Sequence, residues 1–346
     1  MSTTAMQCKD CKAKLVRGCF GLTKLSAVDC AKCQKTLCLN CAEDQTLIPL
    51  DKNEEPLPLK KSSIKSYCMP CFKQVSILDY SKSYDIIEPS TSSVDPDKPN
   101  ITLLWVHASG GSRAMFRPHA STLAQKGYRS ILMDLPGHGT LVETTLTLNS
   151  CVETVKQILD QECSSHKPSQ IIYIGGSLGA YVGFYILGEL KTRFGGAILM
   201  DCGQNVGPDC SLKARAGVWF LRKLSGSMSN KTMMGVVMGA VEKKADYHTI
   251  ECCFSGGMFF QQGPAQCDCM HTVAPSNIIL TLDVPILFFN GTGDYRDSEN
   301  KWLALCKDKR SSLKVYEGGD HFFCHDLRFV DDMLHRMDTF VQMAGL

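Results

Sequence analysis

The run Gly175-Gly176-Ser177-Leu178-Gly179 sets one serine among glycines, directly after the apolar segment Gln170–Ile174 and before the helically spaced segment Leu178–Leu190. A strand that turns sharply into a helix here pushes Ser177 Oγ out at the end of the strand, and the flanking glycines avoid the clashes of so tight a turn. Ser177 is therefore the candidate nucleophile. The Leu178 amide, next in the chain and at a helix N-terminus, is a candidate donor to a developing oxyanion.

A second chemistry is written in cysteines. Of the 19 in the chain, nine precede residue 72, and eight of these form the pairs Cys8-x-x-Cys11, Cys30-x-x-Cys33, Cys38-x-x-Cys41 and Cys68-x-x-Cys71. Two intervening residues let a tight turn aim both sulfurs at one ion, at Zn–S distances of about 2.3 Å. Eight thiolates suffice for two closed tetrahedral sites, so two structural Zn²⁺ and no organic cofactor are expected. No apolar signal segment opens the chain, and in the reducing compartment this implies, a cysteine-dense stretch binds metal more often than it forms disulfides. Cys19 falls outside the pairing and is expected to be a small buried side chain. Cys267-Asp268-Cys269-Met270-His271 lacks further convergent ligands and is expected to hold no metal.

The elements that must position these residues follow a rhythm. Short apolar runs at Ile101–Val106, Ser130–Met133, Gln170–Ile174, Ala197–Met200, Val284–Phe289 and Leu313–Tyr316 predict strands. Helical spacing fills Arg113–Lys126, 142–163, Leu178–Leu190 and Asp326–Met343. Fully apolar strands alternating with helices predict an α/β fold, a mostly parallel sheet covered on both faces, with catalytic loops beyond the carboxyl ends of strands. The segment 203–277 breaks the rhythm with Gly, Met and aromatic residues and is expected to be an inserted, mostly helical cap. Residues 1–75 form a separate head. Residues 76–100 read as a linker with an edge strand at Tyr84–Ile87, and 101–346 as the body.

With strand, Gly-rich turn and helix in place, residues 80–346 resemble the α/β-hydrolase fold. The resemblance implies a carboxylate after the next-to-last strand, matched by Asp294 in Gly291-Thr292-Gly293-Asp294 with Asp297 as runner-up. It implies a late histidine as general base, matched by His321 after strand Leu313–Tyr316, with His325 close by. The order Ser177, Asp294, His321 is the order this fold uses. The second oxyanion amide would be that of Ser109, in the loop His107-Ala108-Ser109-Gly110-Gly111, where Ala108 stands at a position that is usually glycine. His107 and His138 are expected to pack loops. Serine at the turn disfavours the branches of the family that attack with aspartate.

The cysteine pairs, with 18, 4 and 26 residues between them, resemble a FYVE-type zinc finger over residues 6–73. That family interleaves its pairs. One zinc would take Cys8, Cys11, Cys38 and Cys41, and the other Cys30, Cys33, Cys68 and Cys71, giving a small two-zinc cross-brace. Lipid-binding members carry a basic, histidine-containing run around the third cysteine. Here it reads Ser26-Ala27-Val28-Asp29-Cys30-Ala31-Lys32, with no fork of donors for a phosphate. Phosphoinositide binding, and with it an endosomal membrane location, is therefore doubtful, and a protein contact is the better expectation for the head.

Composition narrows the classes. A formal net charge of +2 argues against a nucleic-acid binder. No apolar run reaches about 18 residues, the length that a membrane span needs. The expectation is a cytoplasmic serine hydrolase for a small acyl ester, thioester or monoacyl lipid. The rival is an inactive hydrolase-like scaffold that binds partners through its head.

Overall fold

The computed structural model describes residues 27–29, 31–34, 36–38, 43–46, 64–90, 100–208, 210–225, 230–294 and 298–345. In the head, β1 (Ala27–Asp29) pairs antiparallel with β2 (Thr36–Cys38), and β3 (Glu43–Thr46) with β4 (Ile64–Tyr67). Helix α1 (Met69–Val75) follows, with Cys68 at its N-cap and Pro70 in its first turn, where the missing N–H is harmless.

The body is built on one seven-stranded sheet. Its elements in chain order are β5 (Tyr84–Ile87), β6 (Thr102–Val106), α2 (Arg117–Ala124), β7 (Arg129–Met133), α3 (Leu148–Glu162), β8 (Ile171–Gly176), α4 (Leu178–Glu189) and β9 (Gly196–Met200). The chain then leaves the sheet for α5 (Leu212–Ser225), α6 (Asn230–Val241), α7 (Tyr247–Ser255), α8 (Gly263–Thr272) and α9 (Pro275–Ile279). It returns through β10 (Ile286–Gly291), α10 (Ser298–Leu305), β11 (Ser312–Tyr316) and α11 (Val330–Ala344). The strand order is β11-β10-β9-β8-β6-β7-β5, with every pairing parallel except that of the edge strand β5 with β7.

Every residue of β6, β8, β9 and β10 is buried, as expected of strands covered on both faces. One apolar cluster, containing Trp105, Met115 and Phe116, lies on one face; the other, containing Tyr173, Phe184 and Trp302, lies on the opposite face. Arg113 is also buried. Its amide donates to Asp134 Oδ1 at 2.8 Å and its Nη1 to Oδ2 at 2.5 Å, while Nη2 reaches the Asp79 carbonyl at 2.7 Å. This pairing offsets the desolvation cost of burying the guanidinium.

Several boundaries shift from the sequence pattern for local reasons. The helix read over 142–163 begins only at Leu148, because the Thr147 side chain accepts the Ser150 amide and Ser150 returns a bond to the Thr147 amide. The strand read from Val284 starts at Ile286, after Pro285. The last helix starts at Val330 rather than Asp326, whose carboxylate turns back to the Arg328 amide at 3.0 Å. The stretch Arg113–Lys126 divides into a 3-10 turn at Arg113–Phe116 and then α2, with Pro118 in the first turn.

Head and body touch. The Ile77 amide, just beyond α1, donates to the Ser255 carbonyl at 3.3 Å, and the β3–β4 hairpin lies beside α6 and α7. No helix among the described residues is long and apolar enough to cross a membrane.

Candidate active site

At the end of β8 the chain turns into α4 through Ser177, whose backbone sits at φ 48°, ψ −112°. An L-residue held there stores about 1–3 kcal/mol of strain. The turn survives because its surroundings tolerate nothing larger. A Cβ on Gly179 would stand 2.4 Å from the Val106 carbonyl oxygen, so α4 can approach β6 this closely only through a glycine. The Ser177 amide continues the sheet by donating to the Met200 carbonyl at 2.8 Å, and the side chain is left at the carboxyl edge.

The structure brings Ser177, His321 and Asp294 together. His321 Nε2 lies 3.0 Å from Ser177 Oγ, and its Nδ1 lies 2.7 Å from Asp294 Oδ2. In the neutral tautomer fixed by Asp294, Nδ1–H donates to the carboxylate and Nε2 accepts the serine proton. The loops that carry Asp294 and His321 follow the adjacent parallel strands β10 and β11 and are knitted to each other. The Gly293 amide donates to the Gly319 carbonyl, and the Gly318 amide to Thr292 Oγ1, both at 2.8 Å. Asp294 Oδ1 accepts a bond from Gln204 Nε2 at 2.5 Å, and the Gln204 carbonyl accepts the Tyr181 hydroxyl of α4.

Burial pulls the His321 pKa down, but the Asp294 hydrogen bond and the surrounding carboxyl groups outweigh it and raise it to about 9. Asp201, at the end of β9, is a third carboxyl in the cluster: its oxygen, one from Asp294 and a His321 nitrogen lie within 4.8 Å of one another. Asp201 is buried at φ 56°, and burial with Asp294 and Glu299 nearby drives its pKa well above the usual carboxylate range despite the pull of His321. Asp294, which accepts the Nδ1–H, is the carboxylate placed to hold an imidazolium.

The alternatives of the sequence reading separate here. His325 does not reach Ser177; its ring stacks on Phe116 at 5.7 Å and meets His119 edge-on at 5.2 Å, and burial first, then His119, lowers its pKa to about 3. Asp297 lies outside the described residues. Ala108 carries no positive φ; in its loop that conformation falls at Gly110, at 73°. Ala108 in place of the usual glycine is thus unstrained, because the residue that must turn is two positions later.

Leu178 is the first residue of α4, so its amide has no carbonyl one turn back within the helix. Ser109 lines the same cavity as Ser177. Its loop is held by His138, expected to pack a loop, and by Gln266, which sequence spacing did not single out. Ser109 Oγ donates to Gln266 Oε1, Gln266 Nε2 donates to His138 Nε2 at 2.9 Å, and the Gly110 amide donates to the same nitrogen at 3.3 Å. His138 Nδ1 lies 3.0 Å from the Pro136 carbonyl, so Nδ1 carries the proton and Nε2 is free to accept. Burial, with His107 adding to it, lowers the His138 pKa to about 3 and keeps it neutral. His107 packs its loop as expected: Nε2 accepts the Leu135 amide at 3.0 Å, and burial lowers its pKa to about 4.

Above Ser177 is a cavity of about 210 Å³, walled by Met115 and Phe116 of the body and by Met233, Val237, Phe254 and Met258 of the cap. The cap's large apolar residues divide by role. Met233, Met258 and Phe260 line the cavity, Met234 and Met238 are buried in the core, and Trp219 and Phe220 on α5 are exposed. The cap is tied to the histidine loop by an ion pair between Lys244 and Asp320.

In the head, the sulfurs of Cys33, Cys68 and Cys71 lie within 4.8 Å of one another, with Cys33 and Cys68 3.7 Å apart. The edge of a ZnS₄ tetrahedron with bonds of about 2.3 Å is about 3.8 Å, so this donor set fits a thiophilic ion. Cys8, Cys11, Cys19, Cys30 and Cys41, and the side chain of Cys38, lie outside the described residues.

Comparison with known proteins agrees with this architecture. Residues 101–223 match the family model described as the alpha/beta hydrolase fold. MenH from S. aureus superposes with a TM-score of 0.57 at 15% identity, over 77% of this chain and 100% of that one. A thermophilic esterase from Thermogutta terrifontis gives 0.56 at 15% identity, over 76% and 93%. A monoacylglycerol lipase from Paleococcus ferrophilus gives 0.53 at 13% identity, over 75% and 98%. No curated protein matches the chain. The chain has the α/β-hydrolase fold.

Proposed function

We propose that the body is a serine hydrolase of carboxylic esters or thioesters, with monoacyl lipids as the favoured class. The observation that carries this reading is the hydrogen-bonded series Ser177–His321–Asp294 at the floor of an apolar cavity. His321 takes the Ser177 proton as Oγ attacks the carbonyl carbon, and Asp294 holds the resulting imidazolium. The amides of Leu178 and Ser109 receive the oxyanion. His321 then protonates the departing alkoxide or thiolate. Water, deprotonated by His321, adds to the acyl carbon, and Ser177 leaves with its proton restored.

A cavity of about 210 Å³ with apolar walls favours acyl chains of medium length over short polar ones. Exposed Leu212, Trp219 and Phe220 on α5, interspersed with Lys213, Arg215, Arg222 and Lys223, fit a substrate drawn from an aggregated lipid. The monoacylglycerol lipase among the similar structures accords with that class.

The head is proposed to hold two structural zinc ions, one on Cys8, Cys11, Cys38 and Cys41 and one on Cys30, Cys33, Cys68 and Cys71. The converging sulfurs of Cys33, Cys68 and Cys71 support the second set. When bound, zinc supplies folding stability to the head and takes no part in the ester chemistry. The absence of a positive φ at Ala108 supports the enzyme over the inactive scaffold.

A chain-length series of p-nitrophenyl esters and monoacylglycerols tests the reading. The expected optimum is at intermediate acyl length, with turnover abolished in Ser177→Ala. Turnover that persists in Ser177→Ala, or none with any ester or thioester, would overturn it.

A further inference from the structure

The oxyanion loop and the cysteine cluster are joined by a continuous set of contacts. Cys68 is the N-cap of α1 and Cys71 lies in its first turn; the next residue, Phe72, is fully buried. Phe72 leaves the head and enters the body. Its ring meets Phe259 edge-on at 6.1 Å and Tyr80 at 6.2 Å, and it fits so tightly against Gly257 that a Cβ there would stand 2.4 Å from its tip. Phe259 in turn holds the loop: its amide donates to the Gly110 carbonyl at 2.8 Å, and its carbonyl accepts from Gln266 Nε2 at 3.3 Å. Gln266 is the residue that accepts the Ser109 hydroxyl. Phe260, one position on, presses its ring against Gly110 and lines the cavity.

We propose that α1 braces the oxyanion loop, with Phe72 as a positioning residue, so that metal occupancy at Cys33, Cys68 and Cys71 governs turnover at Ser177. The proposal rests on the hydrolase reading given above. The physical reason lies in the length of α1. Seven residues are too few for a helix to hold itself in water, since isolated helices below about 12–15 residues are marginal. Thiolate–metal bonds at its first turn fix the helix and therefore the depth to which Phe72 penetrates. Released from them, the helix frays, Phe259 loses its backing, and the Ser109 amide loses its aim. That amide acts on charge that exists only in the transition state, so the loss falls on kcat rather than KM.

The test uses the full-length protein as loaded with Zn²⁺, after removal of metal by a chelator, after Zn²⁺ is restored, and as the variants Phe72→Ala and Phe72→Leu. Amide hydrogen exchange is followed by mass spectrometry in residues 105–112 and 256–263, with α11 as an internal reference, alongside steady-state ester turnover. Metal removal and Phe72→Ala are expected to speed exchange in both segments while α11 is unchanged. They should also lower kcat by about 10²-fold, the scale of a 1 Å misplacement, and leave KM within a few-fold. Restored Zn²⁺ should reverse the first effect, and Phe72→Leu should recover most of the second. If Phe72→Ala fails to fold, which α11 exchange reveals, the chelation arm and Phe72→Leu decide. Exchange in both segments that is the same with and without metal overturns the proposal, as does a loss confined to KM or a protein that binds no Zn²⁺. A wild-type protein with no ester turnover would defeat the hydrolase reading, while the exchange arms would still report on the brace.

Discussion

The body and the head bring distant residues together by different means. Ser177 and His321 are 144 positions apart, and Asp294 is 27 from His321, yet the three meet because parallel strands end side by side and their loops are stitched to one another. Cys33 and Cys68, 35 positions apart, meet in a region of three- and four-residue strands with little core beneath them. A sheet buried on both faces fixes its loops through hydrophobic burial and hydrogen bonding alone. In the head, the proposed zinc ions would supply that stability through metal–sulfur bonds. The body's sheet should therefore withstand changes that dismantle the head, while the oxyanion loop, which α1 braces, should loosen with it.

The largest effect is expected from the reacting groups. Ser177→Ala should lower kcat by roughly 10⁶-fold, with the sheet and its thermal unfolding little changed. Next comes Asp294→Asn, expected to lower kcat by about 10⁴-fold. The same change should alter the pH profile. Catalysis needs neutral His321, so activity should rise with pH as an imidazole held near 9 loses its proton, and loss of the Asp294 charge should move that rise to lower pH. The charged His321–Asp294 pair also contributes stability that is present below the ordinary imidazole pKa of about 6.5 and is lost as pH rises through the folded value. A pH–rate profile identical in wild type and Asp294→Asn would remove Asp294 from its role.

Metal removal sharpens the comparison from the other side. Chelation should melt the head while far-ultraviolet circular dichroism still reports most of the body's helix, and metal analysis of the intact protein should give two zinc ions per chain. Cys71→Ser should reduce that to one. A single cooperative unfolding of the whole chain on chelation would show that the head is not a separate unit. The smallest effect is expected at the tie between the cap and the histidine loop. Lys244→Ala breaks a partly exposed ion pair with Asp320 and should cost less than about 1 kcal/mol, read as a few-fold change in turnover.

The parts of this molecule that follow a short-range rule were legible in its sequence. The apolar strands and the turn around Ser177 carry their geometry in local pattern, whereas Asp294 and His321 came from the resemblance to the α/β-hydrolase fold, with Asp297 and His325 as alternatives. Gln204, Gln266 and Lys244 were not legible, because each reaches its partner across the fold and no spacing announces a glutamine that will meet a loop from another element. Asp201 was within reach, since it directly follows a strand whose carboxyl end borders Ser177. Whether Ala108 could replace the usual glycine was not legible from residue type, because it depends on where the loop's positive φ falls, and that is at Gly110. Of the eight paired cysteines, the converging sulfurs of Cys33, Cys68 and Cys71 agree with one interleaved set, and the other five fall outside the described residues or side chains.

The central claim is that Ser177 is an activated nucleophile. Fluorophosphonate labelling of the full-length, zinc-replete protein, followed by peptide mapping, tests it most directly. The account predicts one adduct, on Ser177, that forms faster as pH rises toward 9 and is absent from Ser177→Ala and from heat-denatured protein. Folded protein that stays unlabelled, or label found on another serine with Ser177 untouched, would contradict it.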